Sequence, residues 1–327
     1  MNDEYNLNYY EQQIIVLGPG AKLVYSCNTT DDNTPGDITK EGLTLKGAWS
    51  YHVDDVTTAL PQLYGENESW IATSILNLDV SLEKEQEFIN IPIQRLEKES
   101  KLKGGIYHNV QIELTYNSNH IEGSRLTHDQ TRYIYETNTI GLTDEVINVD
   151  DIVETANHFR CIDLIIDKAN LNITENLIKQ LHFILKNGTT DSRKNWFIVG
   201  DYKKLPNEVG GRVTTSPEKV EDEVKSLIEW YNNIIKKTLN DIIEFHYRFE
   251  YIHPFQDGNG RVGRLLMFKE CLKYNIVPFI IDEKLKMFYY RGLKEWKQEK
   301  GYLIDTCLAA QDQFKAYLDY FRIEYDK

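Results

Sequence analysis

Within twelve consecutive residues, His253, Asp257, Gly258, Asn259, Gly260, Arg261 and Arg264 bring together a base, a carboxylate, a glycine turn and two guanidiniums. Their types fit one chemistry, the handling of a phosphate-bearing substrate with a proton acceptor beside it. An unperturbed imidazole titrates at about 6.5, so His253 is the one side chain of the stretch able to take a proton near neutral pH. Asp257 is a hard oxygen ligand that suits a magnesium ion already held by substrate phosphates. Gly258 and Gly260 let the backbone come close to phosphate oxygens, and the Asn259 side chain can donate to one of them. Arg261 and Arg264 lie one helical turn apart and can fork against the remaining phosphate charge. Phe255 and Val262 have no polar role and anchor the loop in the core.

Two helices must position these groups. Leu227, Ile228, Trp230, Tyr231, Ile234 and Ile235, then Ile242, Ile243, Phe245, His246 and Phe249, recur at helical spacing and predict a long buried helical segment running into the motif. Val262, Leu265, Leu266, Phe268 and Leu272 keep that period downstream. Pro254 stops the first helix and Gly258 to Gly260 open the second, so backbone N–H groups point out of a helix N-terminus and can bind an anion. Singly, each feature has an ordinary reading, since a His after an aromatic helix is usually structural and Asp-Gly-Asn-Gly is a common turn. A calcium loop would need flanking acids and a closing Glu. Here His and Arg stand in those places.

The stretch from His253 to Arg264 resembles the signature of the Fic family, His-Pro-Phe-x-Asp/Glu-Gly-Asn-Gly-Arg-x-x-Arg, at every fixed position. The resemblance covers roughly residues 100 to 327 and implies an all-helical core that transfers AMP from ATP to a Ser, Thr or Tyr hydroxyl of a target protein. It implies His253 as the base, Asp257 for Mg2+, Gly258, Asn259 and Gly260 as the anion hole, and Arg261 and Arg264 on the β- and γ-phosphates. Tyr289 and Tyr290 follow the motif at the distance where the family's aromatics line the adenine pocket, with core packing as the competing reading. Relatives that transfer phosphate or phosphocholine, or remove AMP, give the alternatives within the enzymes. An ATP-binding regulatory module is the alternative outside them. Family members are often dimers, which extends the expectation to a homodimer without placing an interface.

A second stretch, Thr115 to Ser124, carries Ser118 and Glu122 four residues apart on one helical face, with Gly123 placed to end the helix. It resembles the family's inhibitory helix, Ser/Thr-x-x-x-Glu-Gly/Asn, here preceding the core, around residues 106–123. Glu122 would then pair bidentately with Arg264, Ser118 would bond nearby, and ATP would bind in an unproductive pose. Residues Phe197 to Pro217 are too rich in Gly and Pro for a helix. By the same resemblance they hold a β-hairpin flap at about Leu205 to Thr214, with Leu205, Pro206, Asn207, Glu208, Val209 and Gly210 offering main-chain bonds to an extended target segment.

The rest of the chain sets limits. Fifty-one Asp and Glu against 37 Lys and Arg give a net charge of -14 over 327 residues, which argues against a nucleic-acid partner. Cys27, Cys161, Cys271 and Cys307 are scattered without disulfide or metal spacing, and no apolar run or leader marks a membrane span or secretion, so a soluble cytoplasmic protein is expected. Residues 1–95 read as a small β-rich or α+β accessory domain, with strands at Ile14–Leu17, Leu23–Tyr25 and Leu43–Leu45, another at Ser74–Val80, and a charged connecting helix over Leu82 to Lys103. Residues 96–327 read as the mainly α core. Helices are expected from Val149 to about Lys168, after an N-cap at Thr174, around Leu285 to Trp296 and from Tyr302 to Tyr320. His158 and His182 are expected to be structural.

Overall fold

The computed structural model describes residues 12–18, 21–27, 38–40, 43–45, 94, 97–100, 103–141, 146–323 and 325. The chain divides into two compact units, Met1–Phe88 and Ile89–Lys327. In the first, β1 (Gln12–Gly18) pairs antiparallel with β2 (Ala21–Cys27), Gln12 opposite Cys27 and Gly18 opposite Ala21. β3 (Ile38–Lys40) pairs antiparallel with β4 (Leu43–Leu45). The short apolar runs at Ile14, Leu23 and Leu43 account for three of these strands. The short Ile38–Lys40 segment has too little alternation to be read from sequence. Ser74–Val80 and most of the charged segment 82–103 lie outside the described residues.

The second unit is helical. Its elements are α1 (Ile106–Ile121), α2 (His128–Thr137), α3 (Val149–Asp167), α4 (Glu175–Lys186), the hairpin β5 (Glu208–Val209) and β6 (Arg212–Val213), α5 (Pro217–Asn232), α6 (Leu239–Ile252), α7 (Asn259–Lys273), α8 (Lys286–Glu295) and α9 (Gly301–Phe321). The starts follow capping chemistry. Thr127 and Gln130 form a capping box on α2, Thr238 and Asp241 on α6, and the Thr174 hydroxyl accepts the Leu177 N–H of α4 at 3.1 Å. α5 carries Pro217 in its first turn, where a missing N–H costs nothing.

One expectation needs correcting. The apolar periodicity from Leu227 to Phe249 is not one helix: α5 ends at Asn232, α6 starts at Leu239, and Ile235 is fully exposed between them. The Thr238 capping box is the physical reason, because its side chain satisfies the first N–H groups of a new helix.

α7 is the axis of the unit. Every residue from Arg261 to Leu272 is buried, including Lys269 and Glu270, which pair at 2.6 Å. A helix buried on all faces is central by necessity, and α7 packs against α6, α3, α1 and α4. Its N-terminus therefore meets the last turns of α1, α4 and α6 in one place. Cys161, Cys271 and Cys307 are free thiols inside this core. Among the described residues no helix is long and apolar enough to cross a membrane.

Candidate active site

His253 closes α6 in a left-handed conformation, φ 53° and ψ 63°, with its N–H donating to Phe249 O at 2.9 Å. Such a backbone is uncommon for a residue with a Cβ and costs on the order of 1–2 kcal/mol, and it turns the imidazole back over the helix end. The ring is 15% exposed. Burial first, then the Lys203 ammonium, lowers its pKa to about 4, so the ring is neutral and ready to accept a proton at neutral pH.

The loop behind it is fastened from three sides. Phe255 is fully buried and stacks on the His182 ring at 3.9 Å, with the rings 3° from parallel. Asn259 Oδ1 accepts the Phe255 N–H at 2.7 Å and Asn259 Nδ2 donates to Phe255 O at 2.9 Å. In this structure the Asn259 side chain is thus a clamp on the base-bearing loop, and the expectation that it points to a phosphate does not describe its contacts. His182 is structural, as its burial and its bond from Gly200 N–H at 2.9 Å show.

Gly258 is the N-cap of α7 at φ 79°, a conformation that favours glycine. The first intrahelical bond is Val262 N–H to Gly258 O at 3.1 Å, so the preceding N–H groups of the turn have no helical acceptor. Glu122, the C-cap of α1, lies over them: a Cβ at Gly260 would overlap Glu122 Oε1. Arg264 Nη2 donates to Glu122 Oε1 at 2.7 Å and to Ser118 O at 2.9 Å, while Nε donates to the Ser118 hydroxyl at 3.0 Å. The expected bidentate fork is a single carboxylate contact, on the Nη2 that Ser118 O also shares, while the Ser118 hydroxyl holds Nε. Burial would lower the Arg264 pKa, and the Glu122 charge outweighs it and raises it.

Arg261 is buried and ion-paired with Glu154, with Asp257 Oδ2 3.5 Å away. Lys186 Nζ reaches Asp257 Oδ2 at 2.6 Å and also pairs with Glu154. Burial would raise the Asp257 carboxyl, but Arg261 and Lys186 outweigh it and hold it well below the usual carboxylate range. Among the described residues no group of three His, Cys, Asp or Glu could hold a metal by itself. Asp257, half exposed and ionised, suits a cation that brings phosphate oxygens with it.

The hairpin lies inside the Leu205 to Thr214 stretch where the family resemblance placed it. Glu208 pairs with Val213 and Val209 with Arg212, and Gly210 and Gly211 make the turn at φ 57° and 78°. It is tied to the loop that follows His253. Asn207 Nδ2 donates to Phe255 O at 3.1 Å, Lys203 N–H to Pro254 O at 2.9 Å, and Lys203 Nζ to Asn207 Oδ1 at 2.8 Å. Leu205 N–H, just ahead of Pro206, donates to Gln256 Oε1 at 3.3 Å.

Tyr289 and Tyr290 have separate places. Tyr289 is 1% exposed and its hydroxyl bonds to His246 Nε2 at 2.7 Å, so it belongs to the core and offers no surface to a base. Tyr290 is 40% exposed and its hydroxyl donates to Ile121 O at 3.0 Å, holding the end of α1. Lys186, Glu154, Lys203, Arg212 and Glu250 complete the site and were not singled out from sequence. The first four meet the motif only in space, whereas Glu250 lies one helical turn before His253.

Residues 172–271 match the Fic/DOC family. A protein adenylyltransferase Fic of Nematostella vectensis is 28% identical over 228 residues, 67% of this chain and 49% of that protein. Its namesake in Drosophila melanogaster is 28% identical over 63% of this chain and 39% of its own length. The chain thus spans about half, or less, of these relatives. A Fic domain containing signaling protein from Bacteroides thetaiotaomicron superposes with a TM-score of 0.53 at 27% identity, over 71% of this chain and 90% of that one. Fic-1 from C. elegans shares the fold, with a TM-score of 0.54 at 17% identity, over 82% of this chain and 79% of that one.

Proposed function

We propose that this chain, whose residues 172–271 match the Fic/DOC family, is a protein adenylyltransferase that moves AMP from ATP onto a Ser, Thr or Tyr hydroxyl, at rest under the control of Glu122. The observation that carries this reading is the convergence at one helix N-terminus of a neutral imidazole, a glycine turn and two buried guanidiniums, with the Glu122 carboxylate lying on the turn.

His253 takes the hydroxyl proton as the oxygen attacks the α-phosphorus. The bond from that phosphorus to the oxygen bridging to the β-phosphate breaks, and pyrophosphate leaves. The N–H groups at Gly258 to Gly260 and the guanidiniums of Arg261 and Arg264 hold the phosphate charge in a site shielded from water. Mg2+ held by Asp257 and the nucleotide's own phosphates would draw charge from the leaving group. The hairpin edge of Glu208 to Val213 holds the target segment by main-chain bonds, so specificity rests on reach more than on sequence. Residues 1–95 act as an accessory domain.

With Glu122 in place, Arg264 Nη2 is already spent on Glu122 Oε1 and Ser118 O, and the carboxylate stands where a γ-phosphate would meet it. Replacing Glu122 with Gly should raise AMP incorporation. Incubation with ATP labelled on the α-phosphate, in parallel with label on the γ-phosphate, tests the reaction itself. Label from the α-phosphate on protein is expected with Glu122→Gly. Transfer of γ-label would make the chain a kinase, and no label from either would leave an ATP-binding module. Loss of α-label from a previously modified target would reveal removal of AMP.

A further inference from the structure

α6 carries His246, Glu250 and His253 along one buried stretch of its surface, and only the last has a role in the transfer step described above. Three polar atoms there lie buried without a hydrogen-bond partner: His246 Nδ1, Glu250 Oε1 and His253 Nδ1. Buried polar groups are satisfied in the great majority of cases, so three orphans in succession mark a site kept for something other than stability. Glu250 Oε2 stands 3.9 Å from His253 Nδ1, with the Glu250 side chain 12% exposed. On its other side, a Cβ at Gly263 would come within 2.7 Å of Glu250 Oε1 and 2.8 Å of His246 Nδ1, so α7 closes the space there.

We infer that Glu250 is the positioning residue of the base: its carboxyl accepts the Nδ1–H of His253, leaving the Nε2 lone pair for the incoming hydroxyl. This inference rests on the AMP-transfer reading. A separation of 3.9 Å is too long for a hydrogen bond, and it lies within the tightening that catalytic contacts undergo when substrate binds. The buried nitrogen is the one that faces Glu250, so the exposed part of the ring is the edge left for substrate. When the base has taken its proton at Nε2, the carboxyl holds the second N–H of the imidazolium. Atoms balance without any further reactant.

The groups that face Glu250 set its charge. Burial pushes its pKa up to about 8, the Glu122 carboxylate adds to the rise, and Arg264 and Arg212 oppose it. With His246 neutral below it and His253 neutral above it, Glu250 is protonated at rest. Its carbonyl oxygen still accepts Nδ1–H in that form.

The test compares two variants of the full chain in the Glu122→Gly background. Glu250→Met keeps the length and removes the acceptor, whereas Glu250→Gln keeps an oxygen that can accept. The ring 15N shifts of His253 report its tautomer and need no turnover. The Nδ1–H form is expected in the parent and in Glu250→Gln, and a mixture of tautomers in Glu250→Met. AMP incorporation should fall at least about tenfold in Glu250→Met, within the 10²- to 10⁴-fold that a general base contributes. Glu250→Gln should lose less. The melting temperature of Glu250→Met should stay level or rise, since an apolar group replaces an unsatisfied buried one. An unchanged tautomer population in Glu250→Met overturns the inference, as does a rate loss accompanied by an equal loss in both variants. If the Glu122→Gly parent itself transfers no AMP, the reaction assignment fails and the tautomer measurement alone decides the role of Glu250.

Discussion

At the His253 end of the turn, burial holds His253 and Glu250 neutral and leaves His253 Nδ1 and Glu250 Oε1 without partners. At the Arg261 and Arg264 end, a few residues along the same chain, the guanidiniums already hold Glu154, Asp257 and Glu122. The contrast follows from the two tasks. A base must be dry and uncharged until it acts, whereas an anion site must carry buried positive charge that would be costly if left unpaired. Carboxylates supply the missing negative charge at rest. On the proposed reading a triphosphate does not enter an empty site: it would replace Glu122 on Arg264, so affinity for the productive pose and release of the gate would be one equilibrium.

Removing the base should give the largest effect and probes only one side of the contrast. His253→Ala in the Glu122→Gly background should lower AMP incorporation by about 10²- to 10⁴-fold while ATP affinity, followed by calorimetry, changes little. Equal loss of binding would mean that the two ends are one charge system after all. Next in size, Asn259→Ala removes both bonds that fasten Phe255. At about 1 kcal/mol for each buried bond it should cost about 2 kcal/mol, read as a lower urea midpoint with an unchanged slope. A loss below about 0.5 kcal/mol would show that Asn207 and the stacked His182 hold the loop alone.

The sharpest test of the gate is a smaller one. Ser118→Ala removes the acceptor of Arg264 Nε and leaves the Ser118 carbonyl and Glu122 contacts in place. Losing about 1 kcal/mol of support should raise AMP incorporation by the otherwise unaltered chain about fivefold, well short of Glu122→Gly. No change would assign the gate to Glu122 alone.

Much of this site was legible because its chemistry is written in consecutive residues. His253 to Arg264 form a turn and one helical start, and local geometry brings them together whatever the rest of the chain does. The helix start at Thr174 is likewise local, whereas the capping box at Thr238 lies beneath a continuous apolar period that reads as a single helix. What could not be read is what the fold brings from afar. Glu154 and Lys186 lie 107 and 71 residues from their partners Arg261 and Asp257. Nothing in their neighbourhoods distinguishes them from the other charged residues of α3 and α4. Asn259 shows the opposite failure: its type fits an anion contact, and only the structure reveals that both ends of its amide are already used. Tyr289 and Tyr290 show that adjacent residues on one helix serve different regions, one the core and one the end of α1.

The smallest effect concerns pH, and its sign follows from the depressed His253. Its pKa of about 4 lies below the ordinary value of about 6.5, so the folded protein refuses a proton that the unfolded chain accepts between those limits. The stability this group contributes is therefore complete above about pH 6.5 and is lost as pH falls toward 4. The rate follows the same neutral form. AMP incorporation by Glu122→Gly, measured under saturating ATP, should be level from pH 7.5 down to about 5.5, where an imidazole of ordinary pKa would already have lost about tenfold. A profile that halves near pH 6.5 would mean that the ring is wet in the working enzyme, and the electrostatic division between the two ends of the turn would then hold only at rest.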